Sequence, residues 1–179
     1  MESVVIKDKE FELFINSEII EANIRRIASK MNADLKDSNP IFIAVLNGSF
    51  MFAGELMKYI TISCEITFVR LSSYKGTSST GKIHEVLGLN GDIEGRTVVI
   101  IEDIVDTGNT MKSLLSQLNK NNPKEIRVST LLFKPESLIQ DIELDYVALE
   151  IPDDFIVGYG LDYEGYGRNL RNIYKLKNS

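Results

Sequence analysis

VVIIEDIVDTGNT, residues 98–110, decides how this chain is read. Its first four residues are aliphatic and β-branched, the composition of a buried strand. They run straight into Glu102 and Asp103, a third acid at Asp106, and the small turn Thr107, Gly108, Asn109, Thr110. Three carboxylates this close repel one another, and a cation or a group of hydroxyl donors set among them would relieve that repulsion. The second half of the stretch follows a strand and opens a helix. Free backbone N–H groups, the positive end of the helix dipole and two threonine hydroxyls therefore converge where a single phosphate would fit, and Gly108 lets the backbone approach it closely. Glu102 and Asp103 would repel that phosphate, so they are assigned to a neighbouring part of the ligand that offers hydroxyls or a metal ion. Phosphate beside a sugar diol describes ribose 5-phosphate. The bland alternative is that Asp106 or Thr107 merely caps the helix and that the acid pair is solvated at a strand end.

Working outward, the rest of the chain alternates short apolar strands with helices. Ile20, Ile24, Ile27, Ala28, Met31 and Leu35 follow one helix face, with Ser17 placed to cap its start, and predict an amphipathic helix of about five turns. The run IFIAVL (41–46), then Asn47, Gly48 and Ser49, then FMFAGELM (50–57) read as strand, tight turn and helix. Strands follow at 62–69, 97–101, 126–133 and 146–149, with a helix at 110–119. Nearly continuous apolar strands between helices imply an α/β fold with a largely parallel sheet covered on both faces. Ligands in such sheets bind beyond the carboxyl ends of the strands, where both the turn at 47–49 and the segment from Glu102 onward lie. LSSYKGTSSTGK (71–82) breaks the pattern. It is too rich in Ser, Thr, Gly and Lys to hold itself on a core and is read as mobile. No linker divides the 179 residues, which are read as one domain, 1–179.

Composition narrows the function classes. A net charge of -6 argues against a protein whose main partner is nucleic acid. No apolar run approaches the ~18 residues of a membrane span. The start MESVVIKDKE lacks the pattern of a secretory signal and the single Cys64 has no internal disulfide partner, so a cytoplasmic location is expected. Cys64 is read as strand packing and His84 as a loop residue.

Residues 98–101 followed by EDIVDTGNT resemble the phosphoribosyl pyrophosphate motif of the type I phosphoribosyltransferases. Further matches across residues 41–174 are similar to their hypoxanthine-guanine branch: Leu46, Asn47 and Gly48, Ser73 and Tyr74, LLFK (131–134), IPDDFIVGYGLDY (151–163) and RNL (168–170). The resemblance implies a mainly parallel central sheet flanked by helices, with a small hood and a mobile lid loop. It implies transfer of the phosphoribosyl group from 5-phosphoribosyl 1-pyrophosphate to hypoxanthine or guanine, with Mg2+ as cofactor, in a homodimer or homotetramer. By resemblance Glu102 and Asp103 hold the ribose hydroxyls, in part through magnesium. The segment Asp106, Thr107, Gly108, Asn109 and Thr110 holds the 5-phosphate, and Asp106 is also the group that takes a proton from the purine ring or stabilises charge. Lys134 donates to the purine 6-oxo group, Phe155 stacks on the ring, and the backbone at Ile156 reads the base edge. Asp162 lies near a second metal, Arg168 meets the pyrophosphate, the turn Leu46, Asn47, Gly48 offers its backbone to the same group, and Ser73 and Tyr74 form the lid tip. Asn47 is a departure, because relatives often carry Lys there, in a turn with an unusual cis peptide. Two other readings stay open: a xanthine-preferring transferase, and a regulator that senses the activated sugar without catalysis. The second needs a DNA-binding surface, and residues 1–40 show no basic recognition helix.

Overall fold

Aliphatic runs with no polar interruption set the centre of the molecule, because each must be covered on both faces. The computed structural model describes residues 2–72, 85–89 and 92–177. The chain begins with β1 (Ser3–Ile6) and β2 (Lys9–Ile15), followed by α1 (Ser17–Asp34). Next come β3 (Ile41–Leu46), α2 (Phe50–Met57), β4 (Glu65–Ser72) and β5 (Glu85–Leu87). Then come β6 (Thr97–Val105), α3 (Asn109–Leu118), β7 (Glu125–Phe133), β8 (Tyr146–Glu150), β9 (Ile156–Val157) and β10 (Ile173–Leu176).

Among the described residues a six-stranded sheet has the order β5-β4-β3-β6-β7-β8, parallel except for the antiparallel edge strand β5. The helices α1 and α2 cover one face, where Ile20, Ile24, Ile27 and Phe52 meet Phe42, Ala44, Val99 and Ile101. On the other face α3 seats Met111, Leu114 and Leu118 against Ile41, Ile43, Val98 and Ile100. The α/β expectation holds, and the order leaves β3 and β6 adjacent, so the turn after one lies beside the end of the other.

A second, antiparallel sheet of order β1-β2-β10-β9 forms the hood. It joins the two ends of the chain, with Tyr174 facing Leu13 on one side and Val157 on the other. Phe11, Val157 and Tyr174 fill its inner surface. The resemblance implied this sheet, but the strand and helix pattern did not show β1 and β2.

Several boundaries differ from expectation. Asn16, not Ser17, caps α1: its side chain accepts the Ile19 N–H at 2.9 Å, while Ser17 is the first helical residue. The strand read at 62–69 runs over Glu65–Ser72, because Ile41, the first residue of β3, pairs with Glu65. Cys64 therefore precedes the strand rather than lying in it. The strand read at 97–101 continues to Val105, because β7 supplies partners as far as Phe133. Leu71 and Ser72 belong to β4; Ser73, Tyr74 and His84 lie outside the described residues. No helix among the described residues is long and apolar enough to cross a membrane.

Candidate active site

The extension of β6 changes the setting of the acid pair. Glu102 and Asp103 are inside the strand, with Glu102 opposite Thr130 of β7, and are not in a solvated turn after it. Glu102 Oε2 is buried without a hydrogen-bond partner among the described residues. Burial first, and then the neighbouring Asp103 charge, push the Glu102 carboxyl well above the usual carboxylate range. Burial also raises Asp103, opposed by the Ile104 N–H, which donates to Asp103 Oδ1 at 3.0 Å, and by the charge of Arg168. Two adjacent, partly buried carboxylates with an unfilled acceptor are a donor set of hard oxygens that suits a divalent cation held partly by substrate oxygens.

After Val105 the chain turns through Asp106, Thr107 and Gly108 into α3. Gly108 is the N-cap, at φ +82 with no side-chain capping bond, so neither Asp106 nor Thr107 serves as the cap. Thr107 Oγ1 is reached only at 3.4 Å by the Asn109 N–H. A Cβ on Gly108 would come to 2.9 Å from Leu138 Cδ1 and 3.1 Å from Gln140 Cβ, so the cradle is backed by residues 138–142. Gln140 donates to Asn109 Oδ1 and accepts from Lys112 Nζ, each at 2.7 Å. It escaped the sequence reading because nothing local marks it. Glu102 and residues 104–111 line a cavity of about 260 Å³ here.

The turn after β3 comes to the acid pair by close backbone packing. The Leu46–Asn47 peptide is cis, Asn47 is exposed and Gly48 is buried. A side chain on Gly48 would overlap the Asp103 carboxylate, and one on Gly160 would overlap the Gly48 carbonyl, so three segments stack without room for a methyl group. Arg168 locks the third segment: Nη1 donates to Gly160 O at 2.7 Å and Nη2 pairs with Asp162 Oδ1 at 2.5 Å. The Gly165 N–H also donates to Asp162 Oδ2, at 2.6 Å. Arg168 and Asp162 thus engage each other, and among the described residues no three His, Cys, Asp or Glu side chains converge on one metal position.

Lys134 follows β7 directly and is buried, unlike an ordinary strand-end lysine. Its Nζ donates to Asp153 Oδ1 at 2.8 Å and lies 3.8 Å from Asp106 Oδ2. Through that hydrogen bond and its charge, Lys134 holds the Asp153 carboxyl below the usual carboxylate range. In the sequence Asp153 stands only as part of the motif at 151–163. Phe155 is 49 % exposed and rests on Phe11 and Tyr163, with ring centres at 6.2 Å and 5.9 Å, the second pair edge-to-face. That is an aromatic ring braced by two others and half open to solvent. Ile156 beside it is buried in β9, paired with Lys175 of β10.

The sequence matches the family described as phosphoribosyl transferase domain over residues 14–164. The hypoxanthine-guanine phosphoribosyltransferase of Streptococcus pyogenes is 41% identical over 166 residues, 92% of each chain. That of Streptococcus agalactiae is 40% identical over 167 residues, 93% of each. Among solved structures, a hypoxanthine phosphoribosyltransferase from Staphylococcus aureus superposes with a TM-score of 0.87 at 38% identity, covering 93% of this chain and 91% of that one.

Proposed function

This chain belongs to the phosphoribosyltransferase family, and from that premise we propose that it catalyses hypoxanthine-guanine phosphoribosyl transfer in purine salvage. The phosphoribosyl group passes from 5-phosphoribosyl 1-pyrophosphate to hypoxanthine or guanine, giving the 5'-mononucleotide and pyrophosphate. The observation that carries the reading is one cavity in which Glu102, Asp106 and the N-terminus of α3 share a wall. It offers acceptors for a sugar diol beside donors for a phosphate. Its size suits one sugar phosphate, and the Phe155 platform and Lys134 provide for a flat, oxygen-bearing base.

The roles follow from what each group offers. Backbone N–H groups at 108–111 and the threonine hydroxyls take the 5-phosphate. Glu102 and Asp103 take the ribose hydroxyls and would hold Mg2+, which when bound would offset part of the negative charge of the carboxylates and the pyrophosphate. As the bond from the ribose carbon to pyrophosphate oxygen breaks, positive charge grows on the sugar and nearby carboxylates stabilise it. A purine ring nitrogen bonds to that carbon through its lone pair, and Asp106 accepts the proton that the purine ring sheds as the bond forms. Lys134 donates to the 6-oxo oxygen; an amino group there offers no matching acceptor, so adenine is refused. Phe155 stacks on the base and the Ile156 backbone reads its edge. Gly48 presents the turn backbone to pyrophosphate, and Arg168 fixes that turn through Gly160. The protein acts as a homodimer or homotetramer in the cytoplasm.

The test is nucleotide formation from 5-phosphoribosyl 1-pyrophosphate and magnesium with hypoxanthine, guanine, xanthine and adenine offered in parallel. Turnover of hypoxanthine or guanine with adenine refused is expected. Preference for xanthine, or no turnover of any base despite binding of the activated sugar, would overturn the reading.

A further inference from the structure

Lys134 is 7 % exposed, so its ammonium has left bulk water and needs acceptors close by. Among the described residues two carboxylates reach it. Asp153 Oδ1 at 2.8 Å accepts a hydrogen bond; Asp106 Oδ2 at 3.8 Å is within ion-pair range but beyond hydrogen-bond length. The ammonium therefore stands between two anions and leans towards one of them. The side chosen matters. If Lys134 closed onto Asp106, each would satisfy the other, and neither the donor for the 6-oxo group nor the acceptor for the ring proton would be free.

Asp153 is well placed to prevent that. It lies in the short segment between β8 and β9, which is joined to the end of β7 by the Ile151 N–H donating to Phe133 O at 2.8 Å. Phe133 is the residue before Lys134, so the carboxylate and the ammonium share one anchor. The same segment carries the Phe155 platform. Asp153 makes no contribution to the core: its side chain is 66 % exposed. An ammonium has three N–H donors, and spending one on Asp153 fixes its direction while leaving two for the base.

We propose that Asp153 is a positioning residue for base selection, which holds the Lys134 ammonium off Asp106 and aims its remaining N–H groups at the 6-oxo group of the purine. This rests on the phosphoribosyl transfer reading and adds to it the residue that keeps the two catalytic partners apart.

The experiment is a double-mutant cycle. Asp153→Asn, Asp153→Glu, Lys134→Ala and the pair Asp153→Asn with Lys134→Ala are assayed for kcat and KM with hypoxanthine and adenine, and for thermal midpoint. Asp153→Asn keeps the size of the side chain and removes its charge. It is expected to lower kcat/KM for hypoxanthine by about 10- to 100-fold, the range for a hydrogen bond to a charged group. The preference for hypoxanthine over adenine should narrow, the KM for the activated sugar should hold within about twofold, and the midpoint should stay put because the side chain is exposed and an amide oxygen still accepts from the buried ammonium. Asp153→Glu should recover part of the loss. With Lys134 already alanine, which itself weakens the refusal of adenine, Asp153→Asn should add nothing further. Unchanged hypoxanthine kinetics in Asp153→Asn, equal losses in both backgrounds, or a midpoint drop in place of a selectivity change would each overturn the proposal alone. Failure of the unsubstituted chain to turn over hypoxanthine would overturn it together with the reading beneath it.

Discussion

Alanine at Gly48 would set a methyl group where the Asp103 carboxylate now lies. The added Cβ overlaps Asp103 Oδ2 and Cγ and stands 3.0 Å from Oδ1. Clearing that overlap to ordinary carbon–oxygen contact requires a displacement of roughly 2 Å. The turn has no room to retreat, because the Gly48 carbonyl is itself packed on the α-carbon of Gly160, at φ +100. Movement therefore falls on Asp103, which loses the Ile104 N–H at 3.0 Å and its place beside Glu102. Misplacement of a catalytic or positioning group by ~1 Å lowers rate on the order of 100-fold. We expect Gly48→Ala to reduce kcat/KM for the activated sugar by at least that factor, about 2.7 kcal/mol of transition-state stabilisation. Overpacking of about 1–3 kcal/mol should also lower the thermal midpoint by several degrees. The assay is steady-state turnover with the activated sugar varied at saturating hypoxanthine, beside a binding measurement. A kcat/KM within threefold of the parent would refute the argument that the turn and the acid pair are one packed unit.

Asp106→Asn should leave binding of 5-phosphoribosyl 1-pyrophosphate intact and lower turnover by about 10²- to 10⁴-fold; unchanged turnover would rule out both the proton-accepting and the electrostatic role. Glu102→Gln replaces a carboxyl whose ionised form is disfavoured by burial and by Asp103, and whose Oε2 has no partner among the described residues, so at neutral pH without magnesium the thermal midpoint should rise by a few degrees while activity falls. A lower midpoint in the calorimeter would show that the carboxylate is not the destabilising element it is taken to be.

Much of the molecule was legible locally. The α1 stripe, the run from β3 through the Gly48 turn into α2, and the strand-to-helix passage around Gly108 are each written in ten or twenty consecutive residues, because side-chain periodicity and glycine placement act at that range. The same local chemistry, acids beside a small-residue turn at a strand end, was enough to call for a phosphate next to a diol. Other features had no local signature. Asn16 displaced Ser17 as a cap by one position, a choice settled by which side chain reaches the Ile19 N–H. The acid pair became part of β6 because β7 runs alongside it, and that burial gives Glu102 its orphaned oxygen. Lys134 looked like a surface lysine until the segment from β8 to β9 folded over it and supplied Asp153. Gly160 is held against Gly48, and Gln140 against Asn109, by contacts between residues far apart in the chain. The sequence by itself determined the strands of the parallel sheet, the helices that cover it, and where anions are welcome, since those depend on neighbours along the chain; the hood strands β1, β2, β9 and β10 carried no such local pattern. The tertiary structure decided which charges are buried, which are paired and which are left free for chemistry. Desolvation and hydrogen-bond partners depend on neighbours in space, and here those neighbours come from distant parts of the chain.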